Sequence, residues 1–70
     1  MQGVVQVYDP TTEVGMIVRD DNHERVYLRP GSLKGSIFLM LRQGQRVVFD
    51  IEIEHGREYA HRLRFGSDGY

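Results

Sequence analysis

Cysteine and tryptophan are both absent from this chain of 70 residues, and proline occurs only twice. Without cysteine there is no disulfide framework, no thiolate metal site and no thiol nucleophile. A chain near the lower size limit for a hydrophobic core must therefore be stabilised by packing and backbone pairing. The length predicts a single domain over residues 1–66, followed by a frayed tail at residues 67–70.

A long hydrophobic run is also lacking. The longest apolar stretch lies within Ser36 to Leu41, far short of the roughly 20 residues that cross a bilayer. The amino terminus has no basic segment followed by an apolar one, as a secretory signal would have. We therefore expect a soluble, cytoplasmic protein with no membrane partner.

Neither sign of charge is in excess, because nine Lys+Arg stand against ten Asp+Glu, which leaves a net charge of −1. This balance argues against an indiscriminate polyelectrolyte binder, which is normally basic. The cations are nevertheless almost all arginine, with Lys34 as the single lysine. Arginine stacks on planar groups and forms forked hydrogen bonds to phosphates, but it also accumulates for compositional reasons unrelated to function.

Signals of catalysis and metal binding are weak. No serine lies in a nucleophile elbow, and no glycine-rich segment ends in the G-K-[ST] of a phosphate loop. The segment Asp20–Glu24 is rich in oxygen ligands but lacks the spacing of a calcium loop, and the three histidines lack zinc-site spacing. We predict a protein that is not an enzyme and that uses no metal and no cofactor.

Short alternating segments separated by turn residues run along most of the chain. They predict five strands, at Val4–Tyr8, Val14–Arg19, Arg25–Arg29, Gln45–Glu54 and Tyr59–Phe65. Asp9 and Pro10 are suited to a tight turn after the first strand, and Pro30 ends the third. A longer connection between the third and fourth strands is predicted to be a short buried turn of chain or a short helix.

The alternation also predicts which side chains share a face. In the fourth strand, one face is predicted to carry Val47, Phe49, Ile51 and Ile53. In the fifth strand, one face is predicted to carry Tyr59, His61, Leu63 and Phe65. In the connection, the alternating apolar residues are Ile37, Leu39 and Leu41. Five short antiparallel strands bury one interior best by curling into a barrel, so we predict an all-β, small five-stranded antiparallel OB-fold barrel. The rival, a flat sheet, would need an amphipathic helix that the sequence does not offer.

The order and spacing of three motifs resemble those of the bacterial cold-shock proteins, from Gly3 to about Leu63. The family's opening G-x-V-K-W-F-N-x-E-K-G-F-G-F-I is similar to Gly3 to Ile17, and its V-F-V-H-F-S-A-I is similar to Val26 to Leu33. The match of L-x-E-G-Q-x-V-x-F-x-I to Leu41 to Ile51 is the strongest of the three.

The resemblance implies binding of single-stranded RNA or DNA, in which unpaired bases stack on outward aromatic side chains. Carried over to this sequence, the stacking platforms are Tyr8, Tyr27 and Phe38. Met16 and Arg29 take the places of two further platforms, and Arg57 is a candidate for phosphate contact.

Several family residues are replaced, and the replacements remove or alter binding contacts that the resemblance implies. Platforms are lost at Val7, Val14, Met16, Arg29 and Pro30, and two lysines become Gln6 and Thr12. Four such losses at about 1 kcal/mol each remove on the order of 4 kcal/mol, roughly a thousandfold in affinity. We therefore expect binding weaker than is usual for the family.

Two other uses of such a barrel stay open. A face bearing Val7, Val14, Met16, Tyr27 and Phe38 would be an apolar patch suited to a protein partner or a homodimer. A small ribosome-bound barrel like bacterial initiation factor one has a similar length, but it is usually more basic and lacks the G-Q-x-V-x-F stretch.

Overall fold

A computed structural model describes residues 1–66, so the tail predicted at residues 67–70 lies outside the described residues. Five strands follow one another along the chain: β1 (Gln2–Asp9), β2 (Val14–Arg19), β3 (Arg25–Leu28), β4 (Arg46–Glu54) and β5 (Arg57–Phe65). All five predicted strands are present, and their ends differ from the prediction by at most two residues. No helix within residues 1–66 is long and apolar enough to cross a membrane.

The strands close into a barrel in the order β1-β2-β3-β5-β4, and β4 pairs back to β1. The predicted five-stranded barrel is therefore confirmed. Four of its interfaces are antiparallel, whereas β3 and β5 are parallel, with Tyr27 opposite Tyr59. A ring with an odd number of strands cannot alternate direction at every interface, so closure requires one parallel pair.

The barrel interior is filled by apolar side chains from every strand and from the β3–β4 connection. The buried set is Val5, Ile17, Val26, Leu28, Phe38, Leu41, Val47, Phe49, Ala60 and Leu63. No buried side-chain nitrogen or oxygen among the described residues lacks a hydrogen-bond partner. Burial of this apolar surface, without unsatisfied polar groups, is the main stabilising contribution.

The predicted apolar face of β4 is only half buried. Val47 and Phe49 point into the core, Ile51 is partly buried against it, and Ile53 is 69% exposed. The prediction was wrong for Ile53, because the end of β4 pairs only with β5, through Ile53 opposite Glu58, in a hairpin that extends past the core.

The predicted face of β5 is also wrong, because the strand contains a β-bulge. Arg62 has a φ of 55°, and two residues of β5 lie opposite the single residue Phe49 of β4. The bulge changes the alternation, so Ala60 and Leu63 both point inward. Tyr59 thereby lies on the outer side of the barrel instead of sharing a face with Leu63.

The β3–β4 connection has neither helix nor strand between Arg29 and Gln45. Phe38 and Leu41 enter the core, whereas Ile37, Leu39 and Met40 are exposed. The predicted alternation is therefore wrong here except for Leu41. A segment without a β-ladder need not alternate with a period of two. The three-residue spacing between the buried Phe38 and Leu41 follows the irregular path of this connection.

Candidate nucleic-acid interface

A row of paired residues crosses the outside of the barrel from β1 to β4. Val7 lies opposite Met16, Met16 opposite Tyr27, Tyr27 opposite Tyr59, and Tyr59 opposite Glu52. Because side chains at opposed positions of a ladder point to the same side of the sheet, these five residues share the outer surface. We call Met16, Tyr27 and Tyr59 with their neighbouring arginines Arg29 and Arg57 the aromatic seam.

Tyr27 is covered by an arginine from β5. The guanidinium carbon of Arg57 lies 4.5 Å from the centre of the Tyr27 ring, which is the geometry of a cation–π contact. The turn at His55 and Gly56 begins β5 at Arg57, and the parallel pairing of β5 with β3 brings this residue beside Tyr27. The sequence-predicted residues Tyr27 and Arg57 are thus brought together.

Arg29 is brought to the same surface, but it covers a different ring. Its guanidinium carbon is 3.9 Å from the centre of the Tyr59 ring, and its Nη2 is 3.4 Å from Glu52 Oε1. Its Nη1 also donates to Glu54 Oε1. This ion pair lowers the pKa of the Glu54 carboxyl below its usual range, chiefly through the hydrogen bond from Arg29.

Tyr59 is the residue of this surface that sequence reasoning missed. Its ring centre lies 6.5 Å from that of Tyr27, with the planes tilted by 57°. Strict alternation placed Tyr59 on the side of Leu63, and only the bulge at Arg62 turns it outward. A signal was available in the sequence, since β4 and β5 join through a two-residue His55-Gly56 turn that aligns Tyr59 with Glu52.

Tyr8 and Phe38 do not join the aromatic seam. A register shift between Val5 and Val7 places Tyr8 opposite Gly15, half-buried and packed against the core. Burial is the main factor that raises the pKa of Tyr8, with smaller effects from Glu13 and Asp9, so its phenol stays protonated at neutral pH. Its polar tip is therefore a neutral hydrogen-bonding group.

Phe38 is 8% exposed and belongs to the core cluster, with its ring edge-on to Phe65 at 5.1 Å. The predicted outward patch of Val7, Val14, Met16, Tyr27 and Phe38 is therefore wrong in its last member. Phe38 can turn inward because the β3–β4 connection has no β-ladder to fix its alternation. Val7 and Val14 are 44% and 48% exposed, as expected.

A cleft of about 420 Å³ adjoins the seam between the β2–β3 turn and the start of β5. Its lining combines one aromatic ring with both signs of charge, namely His23, Glu24, Arg25, Tyr27, Arg57 and Glu58. The nearby turn carboxylates are already paired, because Asp20 binds Arg46 and Asp21 binds Arg19. No group of three potential metal ligands was found among the described residues.

Comparison with known proteins agrees with this geometry. Residues 1–65 match the family model described as the 'Cold-shock' DNA-binding domain. The chain belongs to the cold-shock domain family. It is also 32% identical over 62 residues to the Cold shock-like protein CspA of Rickettsia typhi (strain ATCC VR-144 / Wilmington), with 89% of each chain covered.

Membership in the cold-shock domain family implies non-catalytic nucleic-acid binding. This cold-shock domain differs from the motif of its family in how its outer face is built. Arginine covers both partly buried tyrosine rings of the seam, and the aliphatic residues Val7 and Met16 continue the row on β1 and β2.

Proposed function

We propose that this cold-shock domain binds single-stranded RNA or DNA without catalysis, through the outer surface of β1, β2 and β3 and the start of β5. The observation that carries the proposal is the stacked pair of Tyr27 and Arg57 in register with Met16. An aromatic ring offers a base a stacking surface, and an adjacent guanidinium offers a phosphate a forked donor.

The six residues predicted for the site have different parts in this proposal. Met16, Tyr27, Arg29 and Arg57 form the centre, where bases and phosphates make contact. Tyr8 flanks the centre with a half-buried ring. Phe38 has little exposed surface, and it contributes by anchoring the β3–β4 connection in the core.

We expect the affinity to be lower than is usual for the family. Val7 and Val14 offer no π surface where family members have aromatic rings, and base stacking is worth about 1–3 kcal/mol per base. Gln6 and Thr12 stand where lysines would contact phosphates, so the dependence of affinity on salt should be shallow. A nucleic-acid binder of this kind would act in the cytoplasm.

The proposal predicts that Tyr27→Ala weakens binding of a labelled pyrimidine oligonucleotide of about six to eight bases by about fivefold to a hundredfold. The change removes the ring that carries Arg57 at the centre of the proposed site, so Tyr27→Phe, which keeps the ring, should bind as the wild type does. Fluorescence anisotropy at low and moderate salt measures the affinities, with the label on the oligonucleotide because the protein has no tryptophan.

Circular dichroism should show the same fold for both variants. Equal affinity of Tyr27→Ala and wild type would contradict the assignment of the site. A wild-type protein that binds no oligonucleotide even at low salt, where phosphate contacts are strongest, would contradict the proposed function itself.

A second candidate function is association with a protein partner or a second copy through the exposed apolar residues Val7 and Val14. Their exposure on one face, next to Met16, favours it. This function predicts concentration-dependent association in sedimentation experiments and little response to oligonucleotides. Substitution of both valines by Thr should abolish that association while keeping the strand.

A further inference from the structure

Arg29 is held in place by three neighbours. Its guanidinium carbon lies over the Tyr59 ring, 3.9 Å from the ring centre, while its nitrogens bind Glu54 and Glu52. Glu52 is directly opposite Tyr59 in the β4–β5 ladder, and Glu54 is two residues further along the same strand. The backbone register thus places the ring and both carboxylates around a single guanidinium.

The side of this guanidinium that faces away from Tyr59 is open to solvent. The Arg29 side chain is 34% exposed although its inner face is covered by Tyr59. A guanidinium plane is a surface on which unpaired bases stack, and a fixed plane loses less conformational entropy on binding than a free side chain. A base stacked here would lie over β3 and β5 instead of over β1 and β2.

The edge of this plane carries acceptors. Glu52 and Glu54 are about half exposed, with side-chain exposures of 53% and 49%. An ionised carboxylate accepts hydrogen bonds and donates none. Cytosine and adenine present an exocyclic amino donor, whereas thymine presents a carbonyl oxygen at the corresponding position, which a carboxylate repels.

We propose that Arg29 on Tyr59 is a base-stacking subsite in which Glu52 and Glu54 select bases with an exocyclic amino group over thymine or uracil. The inference rests on the proposed function, since it concerns the same nucleic acid. Tyr59 acts as a positioning residue that keeps the guanidinium flat. Glu52 and Glu54 are specificity-determining residues.

The test compares the affinities of labelled oligodeoxycytidine and oligothymidine of equal length for wild type and for the double variant Glu52→Gln/Glu54→Gln. Removing two negative charges strengthens binding of both oligonucleotides, so the measured quantity is the ratio of the two affinities. We expect the preference for cytosine over thymine to fall by about fivefold in the double variant.

The control variant is Asp50→Asn, which removes a negative charge from the same strand but from a residue that pairs with Arg62 and Arg64. It should leave the affinity ratio unchanged. Tyr59→Leu should lower the cytosine-to-thymine affinity ratio as the double variant does. Tyr59→Phe, which retains the ring under Arg29, should keep the ratio of the wild type.

The outcomes separate this inference from the proposed function. If both oligonucleotides bind and the ratio is the same in wild type, the double variant and Tyr59→Leu, the subsite is refuted while the proposed function stands. An equal fall of the ratio in Asp50→Asn also refutes it, because a general charge effect would then explain the result. If wild type binds neither oligonucleotide, the proposed function fails and the subsite with it.

Discussion

At the scale of single residues, neighbours in sequence have opposite surroundings in the β3–β4 connection. Phe38 is 8% exposed, whereas Leu39 beside it is 97% exposed. Both are large apolar residues, and both lie in a segment without a β-ladder, so composition could not distinguish them. Their contributions to folding should differ by most of the free energy gained on burying a large side chain.

Phe38→Ala should lower the free energy of unfolding by about 3 kcal/mol, because it leaves a cavity in the core beside Phe65. Leu39→Ala is the matched control, and we expect a change within about 0.5 kcal/mol. Urea titrations followed by circular dichroism measure both. Equal stability of the two variants would show that Phe38 is not part of the core.

At the scale of elements, two glycines are required for different reasons. Gly56 has a φ of 75° beside His55 at 53°, so the pair forms a two-residue turn with both residues left-handed, as a type I′ hairpin requires. A Cβ on Gly56 would meet no atom within 4 Å. In contrast, a Cβ on Gly15 would lie 2.3 Å from the backbone oxygen of Val7 on the paired strand.

Gly56→Ala should therefore lower the free energy of unfolding by about 1 kcal/mol, the conformational cost of a left-handed alanine. Gly15→Ala should cost about 2 kcal/mol or more, because β1 and β2 must separate to admit the methyl group. Denaturant titration of the two variants checks the order. A smaller loss at Gly15 than at Gly56 would mean that the β1–β2 ladder adapts to the added atom.

At the scale of the whole molecule, arginine ion pairs join segments that are distant in sequence. Arg19 on β2 donates to both oxygens of Glu58 on β5, at 3.0 and 3.2 Å, and also binds Asp21 in the β2–β3 turn. The Arg19 side chain is only 14% exposed, so this network is better shielded from solvent than an ordinary surface pair. Arg46 on β4 is paired with Asp20 of the same turn.

The ion pairs between arginines and carboxylates, those of Asp50 and Glu54 included, predict that the protein loses stability in acid. Hydrogen bonds from arginine are the main factor that lowers the pKa of Asp21, Asp50 and Glu54 in the folded state. A carboxyl with a lower pKa when folded binds protons more tightly when unfolded. Its stabilising contribution is therefore complete above the unfolded pKa values near 4 and is lost as the pH falls through the folded values.

Denaturant titrations between about pH 7 and pH 2 should thus show a free energy of unfolding that is level near neutrality and declines below about pH 5. Asp21→Asn should make that decline shallower, because one of the three carboxyls no longer titrates. A profile that stays flat or rises on acidification would contradict the assignment of these ion pairs.

Local patterns were sufficient for much of the architecture. Period-two alternation and turn residues predicted all five strands, and the need to bury one interior predicted the barrel. The order and spacing of the motifs predicted the family. The strands and turns among these features depend on residues close together in the chain, because the physical rules that connect them to structure act within a few residues.

Features of the candidate site were less accessible to sequence reasoning. Tyr27, Arg57 and Arg29 were predicted as site residues, and the fold brings them to one surface, but Tyr59 was missed and Phe38 was placed on the wrong side. In both cases the side of a residue depends on a departure from regular pairing. The departures are the bulge at Arg62 and the irregular path of the β3–β4 connection.

The pattern of this sequence, which has neither cysteine nor tryptophan, thus predicted the strands, the single core and the family to which the chain belongs. The joining of Tyr27 to Tyr59, and of each ring to an arginine, depended on closure of the barrel. Closure forces β3 and β5 into parallel contact, and these two strands lie far apart in sequence. No local rule specifies which side chains meet across that interface, because the meeting is set by the register of the complete sheet.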